Sequence, residues 1–371
     1  MDTRTVVITD PVSDAALIAE AGAALADGRL LVFPTETVYG LGASAVHAEA
    51  IDALSRLKDR GPGKPFTLHL ADPAEAETYA GPLPAPAARL VRKVWPGPLT
   101  LVVPDRRPTR DAPANLVEEA VYQDGTVGLR CPDHAVATAI LRSAGVPVVA
   151  TSANVRGHPP PRTAADALAD LRGRVPLVVD AGPARFAEAS TVVRVHADGR
   201  HEVLREGYVT AHRIDRLVRT SIVFICTGNL CRSPMAAGLA RHLLAERLGC
   251  RVQDMTDRGI DVTSAGTGAV RGSGASAHAV QAMAERGIDI RGHRSQPMTV
   301  DALRAADYIW VMTRGHQRET ERLAPEAADR VALVDPSGDD VADPIGGSLD
   351  TYRACARRLE EALAERLREV M

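Results

Sequence analysis

A cysteine and an arginine, Cys226 and Arg232, enclose a short loop, CTGNLCR, that follows an apolar stretch. The β-branched residues in 222–225 predict a buried strand before the loop, and Pro234 predicts the start of a helix after it. Backbone N–H groups and the positive end of the helix would then surround one point, which suits an anion such as phosphate. Because the same surroundings favour a thiolate, the pattern predicts nucleophilic attack by Cys226 on phosphorus.

Three further residues fit this chemistry. Arg232 can bind a phosphate through two parallel hydrogen bonds, and Ser233 can donate a hydrogen bond to the thiolate. Asp343, in a loop rich in proline and glycine, is the candidate general acid for the leaving group. An isolated cysteine is more often a buried residue at the end of a strand. The glycine, asparagine, arginine, serine and proline around Cys226 favour the catalytic interpretation.

Strands and helices alternate along all 371 residues, which predicts an α/β protein with more than one hydrophobic core. In the second part, the βαβ pattern predicts a parallel sheet between layers of helices. A polar and basic interval with no strong apolar period separates the two parts. We therefore expect a first domain over 1–208, a linker over 209–219 and a second domain over 220–371.

The composition argues against several classes of protein. The 44 basic and 47 acidic side chains nearly cancel, so the net charge does not indicate a nucleic-acid or membrane-surface protein. No apolar run has the length of a membrane span, and the first residues lack the core of a signal peptide. The five cysteines form neither a disulfide framework nor a zinc-binding pattern. We expect a protein of the reducing cytoplasm, with no membrane partner and no metal site built from its own side chains.

Cations and hydroxyls mark a second candidate site, in the first domain. Lys58, Arg60 and Lys64 lie within seven positions, and such a loop can bind a triphosphate or an RNA backbone, although an isolated charge cluster is usually a solvated surface. Arg130 follows a predicted strand and could hold a carboxylate. Polar residues stand at other predicted strand ends, where ligands bind in open α/β sheets: Thr35, Thr37, Ser152, Asn154, Ser190 and Thr191. The residues alone predict binding of an anion, most simply a nucleotide.

The second domain resembles the low-molecular-weight protein phosphatases. The resemblance rests on CTGNLCRSPMA and on SAGT (264–267), GHRS (292–295), MTRGHQ (312–317) and DP (343–344). It implies that Cys226 is the nucleophile, Arg232 the phosphate clamp and Asp343 the general acid of a reaction through a phospho-cysteine. Cys231 would protect the nucleophile through a reversible disulfide. The implied supporting residues of the phosphate loop are Thr227, Gly228, Asn229, Leu230, Cys231 and Ser233.

Two features bear on the substrate of this domain. Phosphotyrosine-specific members usually carry aromatic residues after the Asp-Pro pair, whereas Ile345, Gly346 and Gly347 follow it here. Thr227 and this loop instead resemble the bacterial protein-arginine phosphatases, and a β-branched threonine would narrow the pocket against a planar aryl ester. We expect a modest preference for phosphoarginine, because shape discriminates by only about 1–3 kcal/mol. A protein-tyrosine phosphatase and a phosphoprotein-binding module are the alternatives.

The first domain resembles the YrdC-like threonylcarbamoyl-AMP synthases. PTETVYGLGA, the K-x-R…KP loop, WPGPLTLVV, VGLRCPDH, TSAN, STVV and LREG occur in that order. The resemblance implies a twisted mixed sheet and the condensation of L-threonine, bicarbonate and ATP into threonylcarbamoyl-adenylate, with magnesium accompanying the triphosphate. The implied contacts to threonine or its carbamate are Thr35, Thr37, His69, Arg130 and Ser152. The implied contacts to ATP are Lys58, Arg60, Lys64, Thr126, Asn154, Ser190 and Arg205.

The two resemblances together predict a bifunctional enzyme. Its implied partners are a phosphoprotein substrate and, because the adenylate is used to modify tRNA, tRNA or tRNA-modification proteins. The first domain departs from its family in two places, the glycine-rich middle of KDRGPGKP and Arg194, where an acidic residue is common. An RNA-binding module that has lost synthesis is the alternative there. In the second domain, we expect His293 and His316 to support the site rather than to act as acid or base.

Overall fold

The computed structural model describes residues 2–61, 64–107 and 115–370. They divide into two units, Met1–Leu217 and Val218–Met371. Within 209–219, where the sequence predicts a linker, residues Ala211–Leu217 form a helix in which Ile214 is buried. A helix of two turns has too short an apolar period to be recognised in the sequence.

The first unit is built from short strands and helices in alternation. Its strands, within the described residues, are β1 (Arg4–Val7), β2 (Leu31–Phe33), β3 (Gly40–Ser44), β4 (Thr67–His69), β5 (Leu99–Pro104), β6 (Tyr122–Gln123), β7 (Thr126–Arg130), β8 (Val148–Ser152), β9 (Leu177–Asp180), β10 (Thr191–Val195) and β11 (His201–Arg205). Its helices are α1 (Ala15–Ala26), α2 (Ala48–Leu57), α3 (Ala76–Ala80), α4 (Ala85–Val94), α5 (Ala135–Ala144), α6 (Ala164–Leu171) and α7 (Ala211–Leu217). Short 3-10 helices cover Pro73–Glu75 and Glu118–Ala120.

These strands form one sheet in the order β1-β9-β2-β3-β8-β4-β7-β5-β10-β11, with β6 paired to β7. The sheet is mixed, as expected: β1 and β9 are parallel, for example, whereas β3 and β8 are antiparallel. Helices α1 and α5 cover part of it through an apolar cluster that includes Leu25, Phe33 and Ile140.

The second unit is a smaller α/β domain. Its strands are β12 (Thr220–Cys226), β13 (Ile260–Gly266), β14 (Tyr308–Val311) and β15 (Val331–Leu333). Its helices are α8 (Arg232–Arg247), α9 (Ala277–Ala284), α10 (Val300–Ala305), α11 (Arg314–Leu323) and α12 (Leu349–Arg366), with 3-10 helices at Val252–Asp254, Pro325–Arg330 and Leu367–Glu369.

The sheet of this unit is parallel throughout, in the order β13-β12-β14-β15. Alternate residues of β12 enter two separate cores, because side chains alternate between the two faces of a strand. Ile222 and Phe224 pack with α8, α9 and α12, whereas Val223 and Ile225 pack with residues of α10 and around α11. The predicted three-layer arrangement is confirmed. Among the residues described in either unit, no helix combines the length and apolarity needed to cross a membrane.

Candidate active sites

A loop of five residues, 227–231, joins β12 to α8 in the second unit. The parallel pairing of β12 with β13 places Cys226, the last residue of β12, beside Gly266. A Cβ atom on Gly266 would lie only 2.4 Å from the carbonyl oxygen of Thr227 and 2.9 Å from the backbone nitrogen of Asn229. Glycine at 266 therefore lets the loop fold back closely over the end of the sheet.

The thiol of Cys226 is buried at the base of this phosphate loop, with the residue 2% exposed. Its Sγ lies 3.0 Å from Oγ of Ser233 and accepts a hydrogen bond of 3.3 Å from the backbone N–H of Asn229. Hydrogen-bond donors of this kind stabilise a thiolate relative to a thiol. The geometry therefore suits a sulfur nucleophile that later serves as a leaving group.

Asn229 fixes the shape of the loop. Its φ of 54° lies in the left-handed region, which asparagine tolerates better than most residues. Its Nδ2 donates to Oγ of Ser233 at 2.8 Å and to Oγ of Ser264 at 2.9 Å, and its Oδ1 accepts from the backbone of Gln296 at 2.9 Å. Nε2 of His293 lies 2.7 Å from its carbonyl oxygen. These bonds hold a sparsely populated backbone conformation in place.

The guanidinium of Arg232 forms an ion pair with Asp343 and donates a second hydrogen bond, of 3.1 Å, to the carbonyl oxygen of Val341. Arg232 is buried, whereas the carboxylate of Asp343 is 36% exposed. The other carboxylate oxygen accepts from the backbone N–H of Ile345 at 3.2 Å, and Gly346, at φ 76°, turns the chain just beyond it. A phosphate bound by this guanidinium would compete with Asp343 for it, and the carboxyl group would then lie next to the phosphate.

The first unit contains a cavity of about 660 Å³ over one face of its sheet. Alternate residues of β7, Thr126, Gly128 and Arg130, line it, and their partners on β5 include Thr100 and Val102. The sequence predicts a site at the strand ends. The cavity instead follows the face of the sheet, because antiparallel neighbours place the beginnings and ends of strands side by side.

Arg130 lines this cavity and is held by three neighbouring side chains. It is buried, and its Nη2 lies 3.1 Å from Oε1 of Glu36 and within hydrogen-bond distance of Oγ1 of Thr35 and of Thr37. His69 lies in the same cavity wall, and burial, with a smaller effect from Arg130, lowers the pKa of His69 to about 3. Its ring is therefore neutral at pH 7, so it can offer a ligand a hydrogen bond but no charge.

Five of the seven residues predicted to contact ATP line the same cavity. Arg60, Lys64, Thr126, Ser190 and Arg205 all line it. Nη2 of Arg205 donates to the carbonyl oxygen of Ser190 at 2.7 Å, and the guanidinium of Arg60 lies 4.4 Å from the ring centre of Phe66. Pro62 and Gly63, in the middle of the predicted basic loop, lie outside the described residues.

Lys58 and Asn154 do not line the cavity, but they are joined to Ser152, which does. Nζ of Lys58 donates to the carbonyl oxygen of Ser152 at 2.9 Å and to Oδ1 of Asn154 at 3.0 Å. Burial lowers the pKa of Lys58 to about 8, with a smaller effect from the nearby Arg60. Lys58 thus ties the basic loop to the segment TSAN.

The two units match two different families. Residues 23–207 match the Sua5/YciO/YrdC family, described as "Telomere recombination", and residues 221–371 match the low molecular weight phosphotyrosine protein phosphatases. A Mycobacterium tuberculosis protein provisionally named threonylcarbamoyl-AMP synthase is 38% identical over 212 residues, which cover 57% of this chain and 94% of that protein. The protein-arginine-phosphatase of Geobacillus stearothermophilus is 37% identical over 153 residues, which cover 39% of this chain and 95% of that protein. The chain belongs to both families.

A third relative is similar to the Sua5-family unit, residues 1–217, and a solved structure is similar to a larger part of the chain. The threonylcarbamoyl-AMP synthase of Bacillus subtilis is 38% identical over 201 residues, or 54% of this chain and 56% of that protein, so the chain spans about half of its length. The structure of Pyrococcus abyssi Sua5 covers 71% of this chain and 92% of its own, with 24% identity and a TM-score of 0.50. This likeness shows the fold alone.

In the phosphatase-family unit, residues 218–371, the structure brings Cys226, Asn229, Arg232, Ser233 and Asp343 together. The remaining predicted loop residues have other surroundings. Thr227 is exposed, with its Oγ1 2.9 Å from Nε2 of His316, and Gly228 is half-buried. Leu230 packs against the core, and Sγ of Cys231 lies 3.3 Å from the hydroxyl of Tyr352. Both Cys226 and Cys231 are free thiols. The catalytic roles of these residues stay predictions.

Sequence reasoning misses several residues that complete the two sites. Ser264 and Gln296 hold Asn229, and the position of Ser264 in the motif SAGT was a signal that could have identified it. In the Sua5-family unit, Glu36 pairs with Arg130. Arg194 faces the cavity, and its buried Nε has no hydrogen-bond partner among the residues described.

The residues that the structure describes around the cavity supply no group of side chains that could hold a metal ion by themselves. Among the described residues, no three His, Cys, Asp or Glu side chains lie close enough together to hold a metal ion. Magnesium, which the Sua5 family resemblance implies, would therefore have to be held mainly by the phosphates of the nucleotide.

Proposed function

We propose that this protein is a bifunctional cytoplasmic enzyme. Its Sua5-family unit forms L-threonylcarbamoyladenylate from L-threonine, bicarbonate and ATP, and its phosphatase-family unit dephosphorylates phosphoproteins. The names of the relatives support both activities, and so do the polar cavity and the phosphate loop. Because the adenylate serves tRNA modification, tRNA or tRNA-modification proteins are the expected partners of the first unit.

The synthesis needs two bond-forming steps. The amine of threonine combines with bicarbonate to give a carbamate and water, and a carbamate oxygen then attacks the α-phosphorus of ATP, which releases pyrophosphate. No side chain has to become covalently attached, so the protein acts by positioning its substrates and neutralising their charge. The observation that carries this proposal is one cavity that is lined by Arg130 and its neighbour Thr35 and also by Arg60, Lys64 and Arg205. Arg130 would bind the carboxylate of threonine, and the other cations would bind the phosphates.

Pyrophosphate release that requires threonine, bicarbonate and ATP together tests this proposal. Lys58→Ala and Arg60→Ala should abolish the release. Arg29→Ala is the control, because Arg29 is about half exposed and pairs with Asp27 outside the cavity. Wild-type protein that binds RNA but releases no pyrophosphate would support the alternative, an RNA-binding module.

The dephosphorylation proceeds in two displacements at phosphorus. Sγ of Cys226 forms a bond to phosphorus, the bond to the leaving nitrogen or oxygen breaks, and Asp343 gives its proton to that atom. Water then attacks the phospho-cysteine, Asp343 takes a proton from the water, and Cys226 leaves as a thiolate with a hydrogen bond from Ser233. Arg232 binds the phosphate throughout. The 3.0 Å contact between Sγ of Cys226 and Oγ of Ser233 is the observation that carries this mechanism.

Cys226→Ser tests the phospho-cysteine directly. This variant should lose turnover of an aryl phosphate while still binding inorganic phosphate, because Arg232 and the loop N–H groups remain. Cys250→Ser is the matched control, since Cys250 is a free, half-buried cysteine of the same unit outside the phosphate loop. Persistent turnover by Cys226→Ser would overturn the mechanism. Binding without turnover by the wild type would favour a phosphoprotein-binding module.

For the substrate, we propose phosphoarginine in preference to phosphotyrosine. A protein-arginine-phosphatase is among the similar proteins, and the residues directly after Asp343 and Pro344 are Ile345, Gly346 and Gly347 rather than aromatic residues that could enclose a tyrosine ring. The test compares phosphoarginine and phosphotyrosine peptides side by side, for the wild type and for Thr227→Ile. Equal or greater activity of the wild type on phosphotyrosine would reject this preference in favour of a protein-tyrosine phosphatase.

A further inference from the structure

A buried histidine holds the side chain that follows the nucleophile. His316 is 6% exposed, and its Nε2 lies 2.9 Å from Oγ1 of Thr227, an exposed residue that begins the phosphate loop. The sheet brings the two together, because β12 and β14 are parallel neighbours with Ile225 opposite Val311. The segments that follow these two strands therefore begin side by side.

The ring of His316 is held from its other side as well. Its Nδ1 lies 2.8 Å from Oγ1 of Thr313, the residue that caps α11, and that same oxygen accepts the backbone N–H of His316 at 3.2 Å. Burial and the nearby Arg232 lower the pKa of His316, which favours a neutral ring. A rigid and buried ring thus fixes the direction of an exposed hydroxyl, which would otherwise exchange among rotamers.

We propose that His316 is a positioning residue for substrate choice, which acts by holding the Thr227 hydroxyl in one orientation beside the nucleophile. The substrate class it favours is a phosphorylated guanidinium rather than an aryl phosphate, an inference that rests on the proposed phosphatase function. A threonine hydroxyl has one donor and two acceptor sites, so after its bond to His316 it can still bond to an N–H of a guanidinium. An aryl ring offers no such group and leaves a fixed polar atom unpaired against it.

The two nitrogen atoms of His316 allow a test with matched variants of the full chain. In His316→Gln, the amide nitrogen can take the place of Nε2 and keep the bond to Thr227. In His316→Asn, the shorter amide can take the place of Nδ1 and keep only the bond to Thr313. The readout is the ratio of kcat/KM on a phosphoarginine peptide to kcat/KM on the phosphotyrosine peptide of the same sequence.

We expect His316→Asn to lower this ratio about tenfold, the value of one hydrogen bond that discriminates between substrates, and His316→Gln to restore most of it. Thr227→Val keeps the shape of the side chain without its hydroxyl, and in that background His316→Asn should change the ratio no further. If His316→Asn still lowered the ratio in the Thr227→Val background, the proposal would be overturned. Equal ratios for His316→Asn and His316→Gln would overturn it as well. If His316→Asn lowered both activities by the same factor, the ratio would stay unchanged. That result would indicate general damage to the fold and would count against the proposal.

Failure of this inference and failure of the proposed function give different results. A wild type inactive on both peptides would reject the phosphatase function and the inference with it. A wild type that is active, with a ratio insensitive to His316→Asn, would reject only the role of His316.

Discussion

Gly266→Ala should disable the phosphatase-family unit although residue 266 contributes no catalytic group. The new Cβ would lie 2.4 Å from the carbonyl oxygen of Thr227 and 2.9 Å from the backbone nitrogen of Asn229. Ordinary van der Waals contact begins near 3.4 Å, so the carbonyl oxygen would have to retreat by about 1 Å. Both atoms are backbone atoms of the phosphate loop, so a side-chain rotation cannot relieve the clash.

The size of the effect follows from this displacement. Asn229 lies between Cys226 and the helix that begins at Arg232, and its backbone N–H donates to Sγ of Cys226. A displacement of about 1 Å at a catalytic site can cost about 100-fold in rate, so we expect kcat/KM on an aryl phosphate to fall by about that factor. Forcing an extra methyl group into a packed site costs about 1–3 kcal/mol of stability.

The assay compares Gly266→Ala with Gly268→Ala, a neighbouring glycine at which a Cβ would meet no atom within 4 Å. Turnover of an aryl phosphate should fall only in the first variant, while pyrophosphate release by the Sua5-family unit should continue in both. A Gly266→Ala protein whose kcat/KM stays within about threefold of the wild type would refute the argument, because the loop would then tolerate the shift without loss of alignment.

Three further predictions rest on the surroundings of individual residues. Burial lowers the pKa of Lys58 to about 8, so ATP affinity measured by calorimetry should weaken as the pH rises from 7 to 9, and Lys58→Arg should remove this dependence. Burial raises the pKa of Cys131 and of Cys355 to about 12, so both should resist iodoacetamide at pH 8, as checked by mass spectrometry of peptides. Asn229→Ala and Asn229→Gly lose the same side-chain hydrogen bonds, but only alanine is strained at φ 54°. The alanine variant should therefore be less stable than the glycine variant by about 1 kcal/mol in urea unfolding, measured by tryptophan fluorescence in a Trp95→Phe background that leaves Trp310 as the reporter.

The phosphate loop could be predicted from the sequence because it is continuous. The strand, the loop and the start of the helix occupy 220–232 without a break, and local propensities determine each of them. The contacts that hold the loop from outside could not be predicted in the same way. Ser264 and Gln296 reach it only because the sheet places their segments beside β12, and the order of strands in a sheet is not a local property.

Local patterns predicted some residues that line the cavity of the Sua5-family unit, such as Thr35, Ser152 and Ser190, but not the shape of the cavity. Its lining comes from segments as far apart as Thr35 and Arg205, and a sheet of mixed direction decides which of their faces meet. Motif order and family resemblance indicated many of the residues that line the cavity, but they did not indicate the ion pair between Arg130 and Glu36. Nothing about Glu36 in PTETVYG distinguishes a buried ion-pair partner from an ordinary surface glutamate.

The two sites should respond differently to mutation. The phosphate loop depends on close backbone packing, so substitutions at small residues such as Gly266 should disturb it as strongly as the loss of a catalytic group. The cavity depends instead on long cationic side chains spread over a wide wall, of which Arg60, Lys64 and Arg205 are members. Truncation of Arg60 should abolish pyrophosphate release because it removes a phosphate contact, but it leaves the other side chains of the wall in place. Substitutions in the cavity should therefore act only through the group that is lost, whereas Gly266→Ala should lower the activity of the loop about 100-fold by displacing its backbone.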